Sequence, residues 1–155
     1  MVVWIPVAER RSFARGRGPM GENTVRQKCV VLCHRHAGMM EGIRGLMETL
    51  FESVIMVAEG TSLLTAVKNL RPDLVLVDLS FPVFGETGVA SLLREHAPGV
   101  KFIVLGTEDA PDVIDTCMAA GASGYLLQWN AGKDLVKAVE TVRRGLTYVP
   151  DRRAG

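Results

Sequence analysis

Asp78 closes the apolar run LVLVD at 74 to 78 and is followed by Ser-Phe-Pro, so a carboxylate ends a segment otherwise suited to burial. A capping aspartate would lead straight into a helix. Here the helical pattern resumes only several residues later, which points to an acid placed for function. Other polar residues follow apolar runs in the same way: His34, Arg35 and His36 after Cys33, then Glu59 and Gly60, Gly106 and Thr107, and Gln128. Cys33, His34, His36 and Asp78 are ligand types for a transition metal. Cys33, however, belongs to a strand-like run, and consecutive side chains on a strand diverge, so no metal site is expected from them. No nucleophile stands with a base and an oxyanion donor, which makes turnover on a metabolite the poorest reading.

A repeating rhythm positions these residues. CVVLC (29 to 33), VIMVA (54 to 58), LVLVD (74 to 78), KFIVL (101 to 105) and GYLL (124 to 127) are short β-branched runs, each a strand-plus-helix length from the next. Between them lie amphipathic segments. Met40, Ile43, Leu46, Met47, Leu50 and Phe51 mark the first helix. Leu63, Leu64, Val67 and Leu70 mark the second, opened by Thr61 or Ser62 and stopped before Pro72. Val89, Leu92 and Leu93 make the third, ended by Pro98-Gly99; Val113, Ile114, Cys117 and Met118 make the fourth. Leu135, Val136, Val139 and Val142 make the fifth, with Arg143, Arg144 and Gly145 at its end. Strands apolar on both faces need cover on both faces. The expected architecture is therefore α/β, a doubly wound unit of five βα repeats around a five-stranded parallel sheet. Ligands of such sheets collect at the carboxyl ends of the strands, where the polar residues above fall.

The 155 residues are 48% apolar, enough for one core and short for two domains. The formal charge of +1 is too even to mark a nucleic-acid surface, and it is unevenly spread. Residues 1–27 carry five arginines against two glutamates, net +3, leaving 28–155 at net −2. Residues 1–27 read as a flexible basic extension, either a leader with Met20 as a second start or a native arm docking through Val2, Val3, Trp4 and Ile5. Residues 28–150 read as the folded domain, and 151–155 as a tail or the start of a linker. Cys29, Cys33 and Cys117 sit in apolar settings and read as reduced, which with the lack of a membrane span or signal peptide favours the cytoplasm. No membrane partner and no cofactor are expected.

From Lys28 to Pro150 the chain resembles the receiver domain of bacterial two-component response regulators, most like the subgroup with a LuxR-type helix-turn-helix output domain. The resemblance rests on PDLVLVDLSFP (72 to 82), AAGASGYLLQWN (119 to 130) and GLTYVP (145 to 150). It implies a flavodoxin-like, CheY-like fold and assigns the phosphoacceptor position of a phosphorelay to Asp78. It also implies two acids after the first strand to hold magnesium, a Ser or Thr after the fourth strand and a Lys after the fifth. This sequence has His34 and Arg35, Gly106 with Thr107 one step late, and Gln128.

Loss of several charge-stabilising groups predicts slow phosphoryl transfer. Arg35 is expected either to pair with Asp78 in place of a metal or to face solvent. Tyr125 resembles the aromatic that swings between exposed and buried positions when a receiver switches; otherwise it packs on an edge strand. Asp109, Asp112 and Asp115 open the fourth helix and face Arg143 and Arg144 as a candidate two-fold interface over the fourth helix, fifth strand and fifth helix. The expected function is that of an atypical receiver acting by protein contact, as a homodimer, in signalling or transcription regulation. Its partners would be a histidine kinase or another regulatory protein, with DNA reached only through an output domain outside this chain. The alternatives are a working phosphoacceptor at Asp78 and a small-ligand-binding module.

Overall fold

The computed structural model describes residues 2–6, 27–35, 37–85 and 88–150. Five parallel strands, β2 (Gln27–Cys33), β3 (Phe51–Val57), β4 (Leu74–Asp78), β5 (Lys101–Gly106) and β6 (Gly124–Leu127), share one sheet with an antiparallel strand, β1 (Val2–Pro6). The strand order is β1-β3-β2-β4-β5-β6. Helices α1 (Ala37–Leu50), α2 (Gly60–Leu70), α3 (Val89–His96), α4 (Pro111–Ala119) and α5 (Ala131–Arg143) connect or follow the parallel strands, with a 3-10 turn at Gln128–Asn130. The doubly wound α/β expectation holds. The winding reverses at β2, which lies between β3 and β4, and the carboxyl ends of β2 and β4 border that switch point.

Strand alternation sorts the core into two layers. Val31, Cys33, Val75, Val77, Val104 and Tyr125 point to the face covered by α2, α3 and α4. Val30, Leu32, Leu74, Leu76, Ile103 and Leu126 point to the face covered by α1 and α5. Every residue of β4 is buried, because both of its faces are covered and it has a strand on either side. A fully buried strand that ends in a carboxylate therefore delivers that carboxylate to the rim of the sheet.

The ends of the elements follow from local chemistry. Pro111 opens α4 with Asp112 in its first turn, a placement the helix dipole favours. Gly145, at φ 87°, ends α5, with its N–H donating to Val142 O and Leu146 N–H donating to Thr141 O. Tyr148 then runs beside β6: its N–H donates to Ser123 O, and Tyr125 N–H donates to Tyr148 O.

Three boundaries differ from expectation. Phe51 begins β3 rather than ending α1, because α1 stops at Leu50 and the chain turns into the sheet at once. Gly106 is the last residue of β5, not the first of the following loop. The flexible extension expected over 1–27 fails at its start: residues 2–6 pair with β3 from Val2 opposite Val57 to Pro6 opposite Ser53, the docked-arm alternative. A sixth strand thereby covers a hydrogen-bonding edge that a five-stranded sheet would expose. Residues 7–26 and 151–155 lie outside the described residues.

Candidate functional site

Asp78 is 2% exposed, and both of its carboxylate oxygens are engaged within the chain. Oδ2 accepts from Ser80 Oγ at 2.8 Å, and Oδ1 accepts from Gln128 Nε2 at 2.9 Å. Two elements supply these donors. Phe81 N–H donates to Asp78 O at 2.8 Å, a turn that folds Ser80 back over the carboxylate. Gln128 comes from the 3-10 turn after β6, two strands away in the sheet. Ser80 Oγ also accepts from the Arg35 N–H at 3.3 Å, which ties the loop after β2 to the same cluster. Burial of a carboxylate asks for such partners, since an unbonded acid there would carry a large desolvation cost.

The other expected residues divide sharply. His34 is 6% exposed and continues the sheet by one bond, its N–H donating to Val57 O. Arg35 is exposed, and among the described residues no ion pair joins it to Asp78, so of its two expected roles the structure shows the solvent-facing one. His36 lies outside the described residues. Thr107 is exposed, while Gly106 is buried beside Tyr125. Tyr125 is fully buried on β6, and its hydroxyl donates to Glu108 O at 2.9 Å. Burial pushes its phenol up to about 12, so it is a neutral donor at ordinary pH. The structure thus brings Asp78 and Gln128 together and leaves Arg35 and Thr107 outside the carboxylate's hydrogen bonds.

Ser80 is the member of this hydrogen-bonded cluster that sequence reasoning misses. Its signal was visible in Asp-Leu-Ser: a hydroxyl two residues beyond an acid, in a turn-forming stretch, is within reach of the carboxylate.

Residues 30–140 match the family model described as the response regulator receiver domain. The chain belongs to the response regulator receiver family. The receiver is 32% identical over 124 residues to the oxygen regulatory protein NreC of Staphylococcus epidermidis, covering 77% of this chain and 56% of NreC. It is 30% identical over 122 residues to the transcriptional regulatory protein DegU of Brevibacillus brevis, covering 77% of this chain and 52% of DegU. The receiver chain thus spans about half the length of these curated relatives. Two solved structures share its fold. The non-phosphorylated receiver domain of RcsB from Escherichia coli superposes with a TM-score of 0.69 at 22% identity, covering 81% of this chain and 100% of that one. The receiver domain of NarL from Mycobacterium tuberculosis gives 0.65 at 23% identity, covering 78% and 99%.

The family makes this chain a receiver domain, a module of signal transduction by kind. No helix among the described residues is long and apolar enough to cross a membrane. Cys29, Cys33 and Cys117 are free and buried, and burial raises all three thiols, Cys29 to about 12.

Proposed function

We propose that this chain is an atypical receiver that acts through protein contact, as a homodimer, without ordinary magnesium-dependent phosphorylation. The observation that carries this reading is the closed state of Asp78, whose two oxygens are bonded by the neutral side chains of Ser80 and Gln128. Magnesium asks for several hard oxygen donors near octahedral geometry. The side chains that follow β2 are an imidazole at His34 and a guanidinium at Arg35, neither of which supplies an oxygen. Among the described residues no three of His, Cys, Asp and Glu cluster to hold a metal. This donor set does not fit the cation the family implies. Gln128 can donate a hydrogen bond to a phosphoryl oxygen but brings no positive charge to offset it.

The contact surface in this reading is the face of α4, β6 and α5. Asp109, Asp112 and Asp115 are exposed on one side of it, Arg143 and Arg144 on the other. Arg143 reaches Glu140 of its own helix at 4.0 Å, so Arg144 is the better candidate to cross a two-fold axis. The stretch shared with the curated relatives is only about half of their length, which supports an output domain, and DNA contact through it, beyond this chain. A histidine kinase or another regulatory protein would be the upstream partner. One observation favours the second reading, phosphorylation of Asp78: its carboxylate stands at the carboxyl end of β4, at the switch point of the sheet.

Acetyl phosphate with magnesium, followed by intact mass, decides between the two. The first reading expects unmodified chain, together with a sedimenting dimer at about 100 μM that weakens when Arg144 is reversed to Glu. A phosphoryl adduct lost in Asp78→Asn supports the second reading. A monomer at every concentration rules out the constitutive dimer.

A further inference from the structure

Gly106 ends a buried strand with no backbone reason to be glycine. Among the described residues the glycines at positive φ are Gly85, Gly121 and Gly145, so the conformation at 106 is one that any residue adopts. Glycine inside a strand weakens it and marks a place where something else comes close. What comes close is the phenol of Tyr125. A Cβ at position 106 would overlap Oη of Tyr125 and stand 2.8 Å from both its Cζ and Leu79 Cδ1. The ring therefore fills the volume that any larger residue at 106 would need. From there its hydroxyl donates to Glu108 O, in the loop between β5 and α4.

We propose that Gly106 and Tyr125 form a steric pair that fixes this loop and the adjoining face of α4 in one arrangement. Tyr125 then serves as a permanent positioning residue for a contact surface rather than as a moving part. Departure of the ring would leave a cavity in the layer under α2, α3 and α4 and would strip Glu108 O of its donor. The loop that the hydroxyl holds carries exposed Glu108 and Asp109 and leads into exposed Asp112, the acidic half of the proposed interface. The inference rests on the contact-based reading above and adds how the surface stays formed: the missing side chain at 106 does by shape what a modification would otherwise have to do by charge.

Hydrogen exchange at Val113 and Ile114 of the full chain, whose N–H groups both donate to Ala110 O, reads how firmly the loop holds the start of α4. Exchange in Gly106→Ala should be roughly tenfold or more faster than in wild type, as a local opening equilibrium shifts. Tyr125→Ala should loosen the same residues, and adding Gly106→Ala to it should change exchange by less than about twofold, because the phenol is gone and the flexible end of Leu79 can shift into the space it leaves. If Gly106→Ala alone fails to fold, recovery of folding in the double variant shows the same coupling. An equal effect of Gly106→Ala in both backgrounds overturns the pair, as does nitration of Tyr125 at the rate of free tyrosine. Magnesium with beryllofluoride separates the fate of the Asp78 pocket from that of the Gly106–Tyr125 pair. Saturable amide shifts at Asp78 with Val113 and Ile114 still protected would end the phosphorylation-independent reading and leave the pair standing, whereas faster exchange at Val113 and Ile114 would end the pair.

Discussion

Asp78 and Tyr125 are both buried polar side chains on parallel strands of one sheet, yet they are held in opposite ways. The carboxylate is bonded by two side chains, Ser80 and Gln128, each on a turn and each able to rotate away. The phenol is bonded by a backbone carbonyl and boxed in by the absence of a side chain at Gly106. A group held by rotatable neighbours can be reopened without disturbing the core; one held by backbone and close packing cannot. The difference separates an adjustable pocket from a fixed corner within one domain.

Truncating the fixed corner should have the largest effect. Tyr125→Ala is expected to destabilise the fold by about 3–5 kcal/mol in urea unfolding, since it empties a fully buried ring position and orphans Glu108 O. A cost under about 1 kcal/mol would mean that the ring is not packed as described and would erase the contrast with Asp78.

Alkaline pH probes the same corner without mutation. The folded phenol ionises at about 12 instead of 10, so the folded state keeps a proton that the unfolded chain has lost. The stability it contributes is complete below about 10 and lost as pH rises to about 12. The wild type should therefore lose stability in that window relative to Tyr125→Phe, measured by unfolding at each pH. Parallel curves would place the phenol in solvent.

The pocket should respond less. Ser80→Ala and Gln128→Ala are each expected to cost about 1–2 kcal/mol, the worth of one hydrogen bond to an acidic group. Their effects should not add, because both act on Asp78. Smallest of all, Arg35→Ala should stay within about 0.5 kcal/mol, since its side chain faces solvent. A larger loss at Arg35 would restore the ion pair that the structure does not show.

The fold was legible in the sequence because burial on both faces leaves a continuous β-branched run that needs no tertiary knowledge to read. β4, β5 and β6 fall on LVLVD, KFIVL and GYLL to within a residue. β3 was read short at its start, where exposed Glu52 and half-buried Ser53 break the apolar run. β1 is ambiguous in the sequence, because its apolar residues lead into a Gly- and Arg-rich stretch with no period. The site was legible by residue type but not by pairing. Asp78 and Gln128 were both singled out, yet their hydrogen bond spans fifty positions of chain and depends on the strand order. Arg35 shows the reverse error: its charge suits Asp78, but its side chain is exposed and only its backbone joins the cluster. Gly106 read as a lost hydroxyl; that it also makes room for Tyr125 appears only once β5 and β6 lie side by side.

The groups around Asp78 should not support ordinary phosphoryl chemistry even when its carboxylate is reopened, and a titration of the full chain with magnesium and beryllofluoride, followed by amide chemical shifts, reads this at the carboxylate itself. No saturable change is expected at residues 33–35, 78–80 or 128 up to about 5 mM magnesium, where a lone carboxylate binds the hydrated ion weakly. Saturable shifts centred on Asp78 with a submillimolar constant, accompanied by release of the Gln128 side-chain amide, would contradict it.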